Sequence, residues 1–297
     1  MTTETLALRV PAPAKINLFL HVGPRRADGY HALQSLVCFT EAGDVLSVAP
    51  SDHLSLAIEG PFAAGLAGEG DNLILKAAHA LATHARVTKG AAITLTKNLP
   101  VASGIGGGSA DAAAALRGLA KLWDVQIPDS ALHAIALTLG SDVPVCMASR
   151  PAMMEGRGER VTPVPALPLL PMVLVNPGVA VPTGEVFGRL ARTVVDVLPP
   201  LPDYPQTNDA AALLTYLAET RNDMEPAAKR IAPVIGDVLE ALRANGASLA
   251  RMCGSGATCY GLFESLAAAE SAARNISAAH PSWWAVATRI AGAEIAA

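Results

Sequence analysis

Two kinds of hydrophobic pattern occur along this chain, and together they predict an α+β protein. Near the N-terminus, residues 53–60, HLSLAIEG, alternate apolar with polar positions, which is typical of a half-buried strand. Short apolar runs predict further strands, INLFLHV at residues 16–22 and DVLSVAP at residues 44–50. Between those two, residues 23–33, GPRRADGYHAL, are predicted to form a turn-rich loop around Asp28-Gly29.

Apolar residues at helical spacing dominate several later segments. In residues 72–85, NLILKAAHALATHA, the side chains of Leu73, Ala77 and Leu81 fall roughly on one face. Comparable patterns predict helices at residues 109–123, 129–140, 209–218, 232–246 and 265–278. Strands are predicted at residues 90–100, 172–177 and 283–290, and a strand–turn–strand unit at residues 248–263. Because strands and helices occur in both halves, we expect two α+β lobes, residues 1–158 and 159–297.

One segment without charged residues has the length of a membrane span. It runs from Val161 to Gly184, and its prolines stand at positions 163, 165, 168, 171, 177 and 182. A helix that must satisfy its own backbone in a bilayer does not carry so many prolines. We therefore expect a proline-rich connection followed by a buried strand, and no association with a membrane.

Composition narrows the class of protein further. Of the 297 residues, 51% are hydrophobic and 16% are charged, and the formal net charge is −4. This balance is typical of a compact globular chain and offers no basic surface, so we expect no nucleic-acid partner. The four cysteines form no CxxC pair, and the N-terminal residues do not resemble a signal peptide. We therefore predict buried, reduced thiols in a cytoplasmic protein.

A glycine-rich segment leads into one of the predicted helices: LPVASGIGGGSADAAAALRGLAKLW, residues 99–123. Glycines let the backbone approach a ligand closely, and a helix N-terminus attracts anions, so phosphate is the natural candidate ligand. A purely structural turn is the alternative. The segment lacks the lysine of a Walker A loop, the last glycine of GxGxxG and the last glycine of GxSxG. These three common motifs are therefore excluded.

The segment resembles the ATP-binding loop of the GHMP kinase superfamily, which includes galactose, homoserine, mevalonate and phosphomevalonate kinases. PAKINLFLHV, residues 13–22, and MCGSGATCYGLF, residues 252–263, resemble two further motifs of the superfamily. The resemblance implies an N-terminal lobe with a mixed sheet and helices, a C-terminal ferredoxin-like lobe and an active site in the cleft between them. Ala102 and Ala110 depart from the pattern, since the family commonly has glycine and serine there.

Longer similarities narrow the expected substrate. Residues 13–36 and 140–146 resemble the branch of the superfamily that phosphorylates the 2-hydroxyl of a methylerythritol joined to cytidine diphosphate. Residues 71–78, 181–187 and 221–226 resemble further signatures of that branch, in the same order. The resemblance implies ATP as co-substrate, Mg²⁺ bound with the ATP phosphates, and a monomer or weak homodimer.

The resemblance also implies a role for individual residues. Asp142 would accept the proton of the substrate hydroxyl, while Lys15 would stabilise the transferring charge and keep Asp142 ionised. Without the resemblance, Asp142 could equally cap a helix, and the Lys15 side chain could extend to the surface. Ser109 would bind phosphate or Mg²⁺, cap its helix, or do both. The implied ATP-binding residues are Asn72, Lys97, Pro100, Val101, Ala102, Ser103, Gly104, Ile105, Gly106, Gly107, Gly108, Ser109 and Ala110.

The implied substrate-binding residues are Asn17, Tyr30, His31, Thr183 and Phe187. The two aromatic rings would sandwich the cytosine and His31 would bond its edge, whereas Asn17 and Thr183 would bond hydroxyls or phosphates.

Three other functions stay open at this point. The chain could be a kinase of the same superfamily that acts on a sugar, homoserine or mevalonate. It could be a non-catalytic relative that senses a ligand, or a structural protein whose glycines only pack. Outside the expected site, Asp111 is expected to help start its helix, and Trp283 and Trp284 to pack in the last strand.

Overall fold

One long strand, β3, organises the first half of the chain. The structure is a computed structural model that describes residues 7–27, 29–66, 72–190, 198–205 and 209–292. β3, His31–Ser51, pairs antiparallel along one edge with β1 and β2 and along the other with β5 and β6. β4 extends this sheet by parallel pairing with β5, and β7 extends it by antiparallel pairing with β6. The other strands are β1 Leu8–Asn17, β2 His21–Arg25, β4 Leu54–Glu59, β5 Gly90–Thr96, β6 Ala152–Gly156 and β7 Arg160–Pro163.

An alanine-rich helix, α2, packs directly on this sheet. It spans Gly107–Leu122 and lies against β1 and β3, with three further helices around it: α1 Leu73–Ala85, α3 Asp129–Leu139 and α4 Val143–Ala148. The small side chains allow this close approach, because a Cβ atom placed at Gly118 would lie 2.9 Å from Val10 Cγ2. This close packing fixes the distance between the sheet and the glycine loop that leads into α2.

The second half forms a separate antiparallel sheet in the order β11-β8-β10-β9. Helix α8, between β8 and β9, and helix α9, between β10 and β11, both pack on it. This βαββαβ order confirms the expected ferredoxin-like lobe and the α+β class. The strands are β8 Pro171–Asn176, β9 Leu249–Met252, β10 Cys259–Leu262 and β11 Trp284–Arg289, and the helices are α5 Thr183–Leu190, α6 Ala210–Ala218, α7 Glu225–Ile231, α8 Val234–Ala244 and α9 Leu266–Ala279.

The segment INLFLHV does not form the single strand that its composition predicts. β1 ends at Asn17 and β2 begins at His21. The residues between them turn to the other lobe, where Leu20 exchanges backbone hydrogen bonds with Arg221 and Asp223 at 3.0 and 2.9 Å. The Leu18 carbonyl accepts hydrogen bonds from Arg251 and from the Tyr260 hydroxyl, both at 2.6 Å. Contacts between the lobes, which no local pattern records, therefore divide the strand.

The predicted loop at residues 23–33 is shorter in the structure, because Gly23–Arg25 complete β2 and His31 begins β3. Gly29 has a φ of 85°, as its turn requires, whereas Asp28 lies outside the described residues. Helices α4, α5 and α7 and strands β6 and β7 were not predicted from the sequence; each is short, with four to eight residues. The first sheet continues to Pro163, so the expected boundary at 158/159 lies within the β6–β7 turn; the division into domains stays a prediction.

The expected buried thiols are confirmed, because all four cysteines are free and buried. Within the described residues, none of the helices combines the length and apolarity needed to cross a bilayer.

Candidate active site

A buried lysine stands where β1, the glycine loop and the second lobe meet. The pairing of β1 with β3 shifts register between Pro13 and Lys15, an irregularity of the kind that redirects side chains beside active sites. The Lys15 amide donates to the Ile105 carbonyl at 2.9 Å, which ties β1 to the glycine loop. The Lys15 ammonium lies 2.9 Å from Asp142 Oδ2 and donates to Asn17 Oδ1 at 3.2 Å.

Asp142 occupies the N-cap position of helix α4 but makes no capping hydrogen bond with its side chain. Capping was the alternative to a catalytic role, and the structure shows the position of a cap without its bond. The carboxylate is 36% exposed, while the Lys15 side chain is 4% exposed. The Asp142 carboxylate is therefore accessible from the cavity, and the Lys15 ammonium lies buried behind it.

The charge of Lys15 is maintained by its surroundings. Burial, the largest single influence, would lower the pKa of Lys15, but the Asp142 carboxylate and the neighbouring cysteines together raise it above its ordinary value. Burial raises the pKa of the neighbouring Cys253 to about 11, so this residue is a neutral thiol that accepts the Asn17 amide at 3.2 Å. The Lys15 ammonium therefore lies beside the Asp142 carboxylate and an uncharged thiol.

Asn17 is held by a chain of hydrogen bonds that fixes which end of its amide faces Lys15. Its Nδ2 donates to Ser35 Oγ at 2.8 Å, and that hydroxyl donates to the Phe19 carbonyl at 2.6 Å. Because the donor end is used, the acceptor end points to the ammonium. The expected contact of Asn17 with substrate stays a prediction.

The two glycine-rich loops of the chain touch backbone to backbone. Gly104 and Gly106 have φ values of 79° and 66°. A Cβ atom at Gly104 would lie 2.5 Å from the Gly256 carbonyl oxygen, and one at Gly254 would lie 2.7 Å from the Gly104 oxygen. A Cβ atom at Gly106 would lie 3.1 Å from Lys15 Cβ. Glycine is required here because the loop packs both against the other lobe and against the buried lysine.

Ala102, where the family commonly has glycine, has a φ of 52°. This left-handed conformation is strained for alanine and free for glycine, which explains the glycine of the family pattern. Ala110, the second departure, is buried in the core of the first lobe.

A cavity of about 340 Å³ lies along the glycine loop and the start of α2. The N-cap of α2 is Gly106, so Ser109 does not cap this helix, which was the alternative to its binding phosphate or Mg²⁺; its side chain lines the cavity from within the first turn. Asn72 caps α1, with its side chain accepting from Ile74 at 2.8 Å, and lines the same cavity. Of the predicted ATP-binding residues, Ile105 and Ala110 are buried away from it, and the others line it.

Lys97 belongs to a buried cluster of three charges beneath the loop. Its ammonium lies 2.6 Å from Asp44 and 2.7 Å from Asp111, and Asp44 also accepts the amides of Asn98 and Leu99. Burial lowers and the two carboxylates raise the pKa of Lys97, with a net increase. Burial and Asp44 raise the pKa of Asp111 to about 7 against the opposing effect of Lys97. The expectation that Asp111 helps start the helix was wrong: it is buried in the second turn and pairs with Lys97.

A larger cavity of about 580 Å³ opens on the other side of the loop. All five predicted substrate-binding residues, together with Lys15 and Asp142, line it. The rings of His31 and Phe187 lie 5.4 Å apart at 20°, and His31 Nδ1 lies 3.0 Å from the Gly23 carbonyl, which leaves Nε2 for a ligand. Tyr30 is 58% exposed at the rim. Thr183 shares a 2.8 Å hydrogen bond with Ser255.

Sequence analysis did not predict some residues that line or support this cavity. Ser255 and Arg157 line it, and Asn222 holds the second glycine loop by donating to the Met252 and Gly254 carbonyls at 2.8 Å. Asn222 lies within the signature at residues 221–226 and Ser255 within the motif at residues 252–263, so position in a motif was an available signal. Arg157 lies in no motif.

Two family models match the chain. The model of the GHMP kinases N terminal domain covers residues 72–150, and that of the GHMP kinases C terminal domain covers residues 206–282. The chain belongs to the GHMP kinase family. This agrees with the resemblance found in the sequence and with the placement of both glycine loops at one cleft. Members of this family use ATP as co-substrate.

Relatives of this kinase carry a more specific name. The chain is 53% identical to a 4-diphosphocytidyl-2-C-methyl-D-erythritol kinase of Paracoccus denitrificans (strain Pd 1222), over 96% of this chain and 98% of the relative. It is 48% identical to the protein of that name from Rhizobium meliloti (strain 1021), over 96% of each chain.

Solved structures agree. A crystal structure of 4-(cytidine 5'-diphospho)-2C-methyl-D-erythritol kinase superposes with a TM-score of 0.79 at 35% identity, over 96% of this chain and 100% of that one. A homoserine kinase from Cytophaga hutchinsonii, with a TM-score of 0.68 at 17% identity over 98% and 96%, shares the fold.

Proposed function

We propose that this kinase transfers the γ-phosphoryl group of ATP to the 2-hydroxyl of 4-diphosphocytidyl-2-C-methyl-D-erythritol, giving the 2-phosphate and ADP in the non-mevalonate isoprenoid pathway. The names of the full-length relatives support the substrate. The observation that carries the mechanism is the junction of the two cavities: both are lined by Gly104 and Gly106, and Lys15 and Asp142 line the larger one beside that junction.

The smaller cavity suits ATP, a nucleoside triphosphate. Backbone N–H groups at the start of α2 would hold the phosphates, and Asn72 and the loop residues would surround the rest of ATP. Mg²⁺ takes oxygen ligands and is commonly held by substrate phosphates with few protein groups. The Ser109 hydroxyl, which lines this cavity, fits such a role, and the ion would neutralise phosphate charge.

The reacting hydroxyl would lie at the Lys15–Asp142 pair. Asp142 would accept its proton or orient it, because the carboxylate is partly exposed to the cavity and makes no capping bond. Lys15 would stabilise the transferring phosphoryl charge from behind, and the Asn17 amide keeps the ammonium in place. The cytosine would lie between Tyr30 and Phe187 at the other end of the cavity.

The test is a coupled ADP-release assay with ATP, Mg²⁺ and the cytidine diphosphate-linked substrate, on wild type and Asp142→Asn. We expect turnover in wild type and a loss of roughly 10²–10⁴-fold in the variant, the usual contribution of a general base. Asp129→Asn is the matched control, since Asp129 is an exposed aspartate at the start of α3, away from the cavity. ATP binding by the Asp142 variant would show that it is folded.

Two outcomes would contradict the proposal in different ways. If homoserine, mevalonate or galactose supports turnover in place of the cytidine substrate, the proposed substrate is wrong, although the chain still belongs to the GHMP kinase family. If Asp142→Asn retains full turnover, the proposed substrate still stands, but the proposed role of Asp142 is wrong.

A further inference from the structure

The larger cavity carries a positive side chain that the mechanism above does not use. Its charged lining residues are Lys15, Asp142, Arg157 and Glu159. Lys15 and Asp142 neutralise each other at 2.9 Å. The Glu159 carboxylate accepts the Arg157 backbone amide and lies 4.0 Å from the Arg26 guanidinium. Burial opposes and backbone hydrogen bonds favour a lowered pKa of Glu159, and the Arg157 guanidinium also lowers it, so these two charges attract each other. Among the described residues, no carboxylate lies within direct ion-pair distance of the Arg157 guanidinium.

The backbone fixes Arg157 at the rim of the cavity. It stands at the tip of the β6–β7 hairpin between Gly156 and Gly158, whose φ values are 75° and 107°. The Gly158 amide donates to the Glu155 carbonyl at 3.1 Å and closes the turn. Because β6 pairs with β3 from Leu33 to Val37, the tip lies beside the residues that begin β3. The hairpin therefore presents the arginine to the predicted base-binding end of the cavity.

The guanidinium lies over the ring of Tyr30, 5.1 Å from its centroid. A cation in this position is attracted by the ring face, which holds it without a direct ion pair. The planar fork of an arginine also matches the oxygens of a phosphate group better than an ammonium does. A guanidinium that has no direct ion pair and lies next to an aromatic ring is thus suited to a ligand that joins a flat base to phosphate.

We propose that Arg157 binds the diphosphate of the cytidine diphosphate-linked substrate at the mouth of the larger cavity. The inference rests on the proposed function, because that substrate brings a diphosphate into a cavity whose other cation, Lys15, already has a carboxylate partner. Arg157 would thus bind the diphosphate, a part of the substrate that does not react. It would contribute to affinity and to the choice of a diphosphate over an uncharged cytidine ligand.

The test compares cytidine 5'-diphosphate with cytidine by calorimetric titration of wild type, Arg157→Gln, Arg157→Lys and Arg160→Gln. Arg160 is the matched control because it follows on the same hairpin, is 67% exposed and faces Glu155 at 3.9 Å. We expect Arg157→Gln to weaken the diphosphate by about tenfold or more and to leave cytidine unchanged, as loss of a charge-assisted bond would. Arg157→Lys should fall between, and Arg160→Gln should match wild type.

The alternatives are separated by the same titrations. Equal weakening of both ligands would overturn the proposal and assign Arg157 to the support of Tyr30. Unchanged affinity for both would overturn it outright. If wild type binds neither ligand, both the proposed substrate and this inference are wrong. If wild type binds the diphosphate and the Arg157 variants bind it equally well, only this inference is wrong. A weaker dependence of diphosphate affinity on salt in Arg157→Gln than in wild type would support it further.

Discussion

Two buried lysines flank the glycine loop, and their surroundings differ in the number and in the exposure of their carboxylate partners. Lys15 has a single carboxylate partner, Asp142, which is 36% exposed to a cavity. Lys97 has two partners, Asp44 and Asp111, and all three side chains are at most 4% exposed. A buried ion pair adds little net stability, but removing one partner leaves an uncompensated charge. The comparison suggests that the open pair serves the reaction, and the closed cluster serves the shape of the loop.

The largest expected effect on stability comes from Lys97→Met. It leaves two buried carboxylates without a cation, so we expect the free energy of unfolding to fall by about 3–5 kcal/mol. Urea unfolding followed by circular dichroism measures this. Lys121→Met, at an exposed lysine of the same helix that carries Asp111, should change stability little. A Lys97 variant as stable as wild type would show that the cluster does not hold the loop.

Lys15→Met should produce the opposite pattern. We expect turnover to fall by about 10²–10³-fold, because a cation at the transferring group is lost. The free energy of unfolding should change by less than about 1 kcal/mol, because Asp142 is partly exposed and water can solvate it. Turnover and urea unfolding on the same preparation check both halves. A loss of stability without loss of turnover would reverse the assignment of the two lysines.

The closed cluster also predicts a dependence of stability on pH. The pKa of Asp111 is raised in the folded protein to about 7, so the folded state binds this proton more tightly than the unfolded state does. The stabilisation is therefore complete below the unfolded pKa of 3.8 and is lost as pH rises towards 7. Relative to Asp111→Asn, the unfolding free energy of wild type should decrease over this window, by at most about 1.4 kcal/mol per pH unit. Parallel pH profiles of the two proteins would contradict the raised pKa.

The smallest effects should come from the adjacent glycines that touch the two lysines. Gly106→Ala adds a Cβ atom 3.1 Å from Lys15 Cβ at a φ of 66°, so we expect a loss of about 1–2 kcal/mol and reduced turnover. Gly107→Ala adds one 3.1 Å from Lys97 Nζ, which the two carboxylates hold in place, but it does so within a helix, where alanine is favoured over glycine. Stability should change there by less than about 1 kcal/mol. Thermal unfolding and turnover of both variants measure the contrast, and equal losses would show that the lysine contacts do not matter.

Several elements with a clear local signal, either helical periodicity or a glycine turn between two apolar runs, were predicted from the sequence. The helix at residues 72–85 and the strand–turn–strand at residues 248–263 correspond to α1 and to β9 and β10. The strand at residues 16–22 was wrong because Leu18 and Leu20 bond to the other lobe, and a local pattern contains no information about such a partner. For the same reason the pairing of Lys97 with Asp44, which is distant in sequence, was not expected.

The sequence by itself determined the α+β class, the glycine loop before α2 and, through its motifs, the family and the candidate residues Lys15 and Asp142. These follow from periodicity and from short ordered patterns, which depend on neighbouring residues only. The tertiary structure decided which lysine faces the cavity, which carboxylate remains exposed and where Arg157 lies. Those properties depend on burial and on distances between residues far apart in the chain, and burial and distance are established only when the chain has folded.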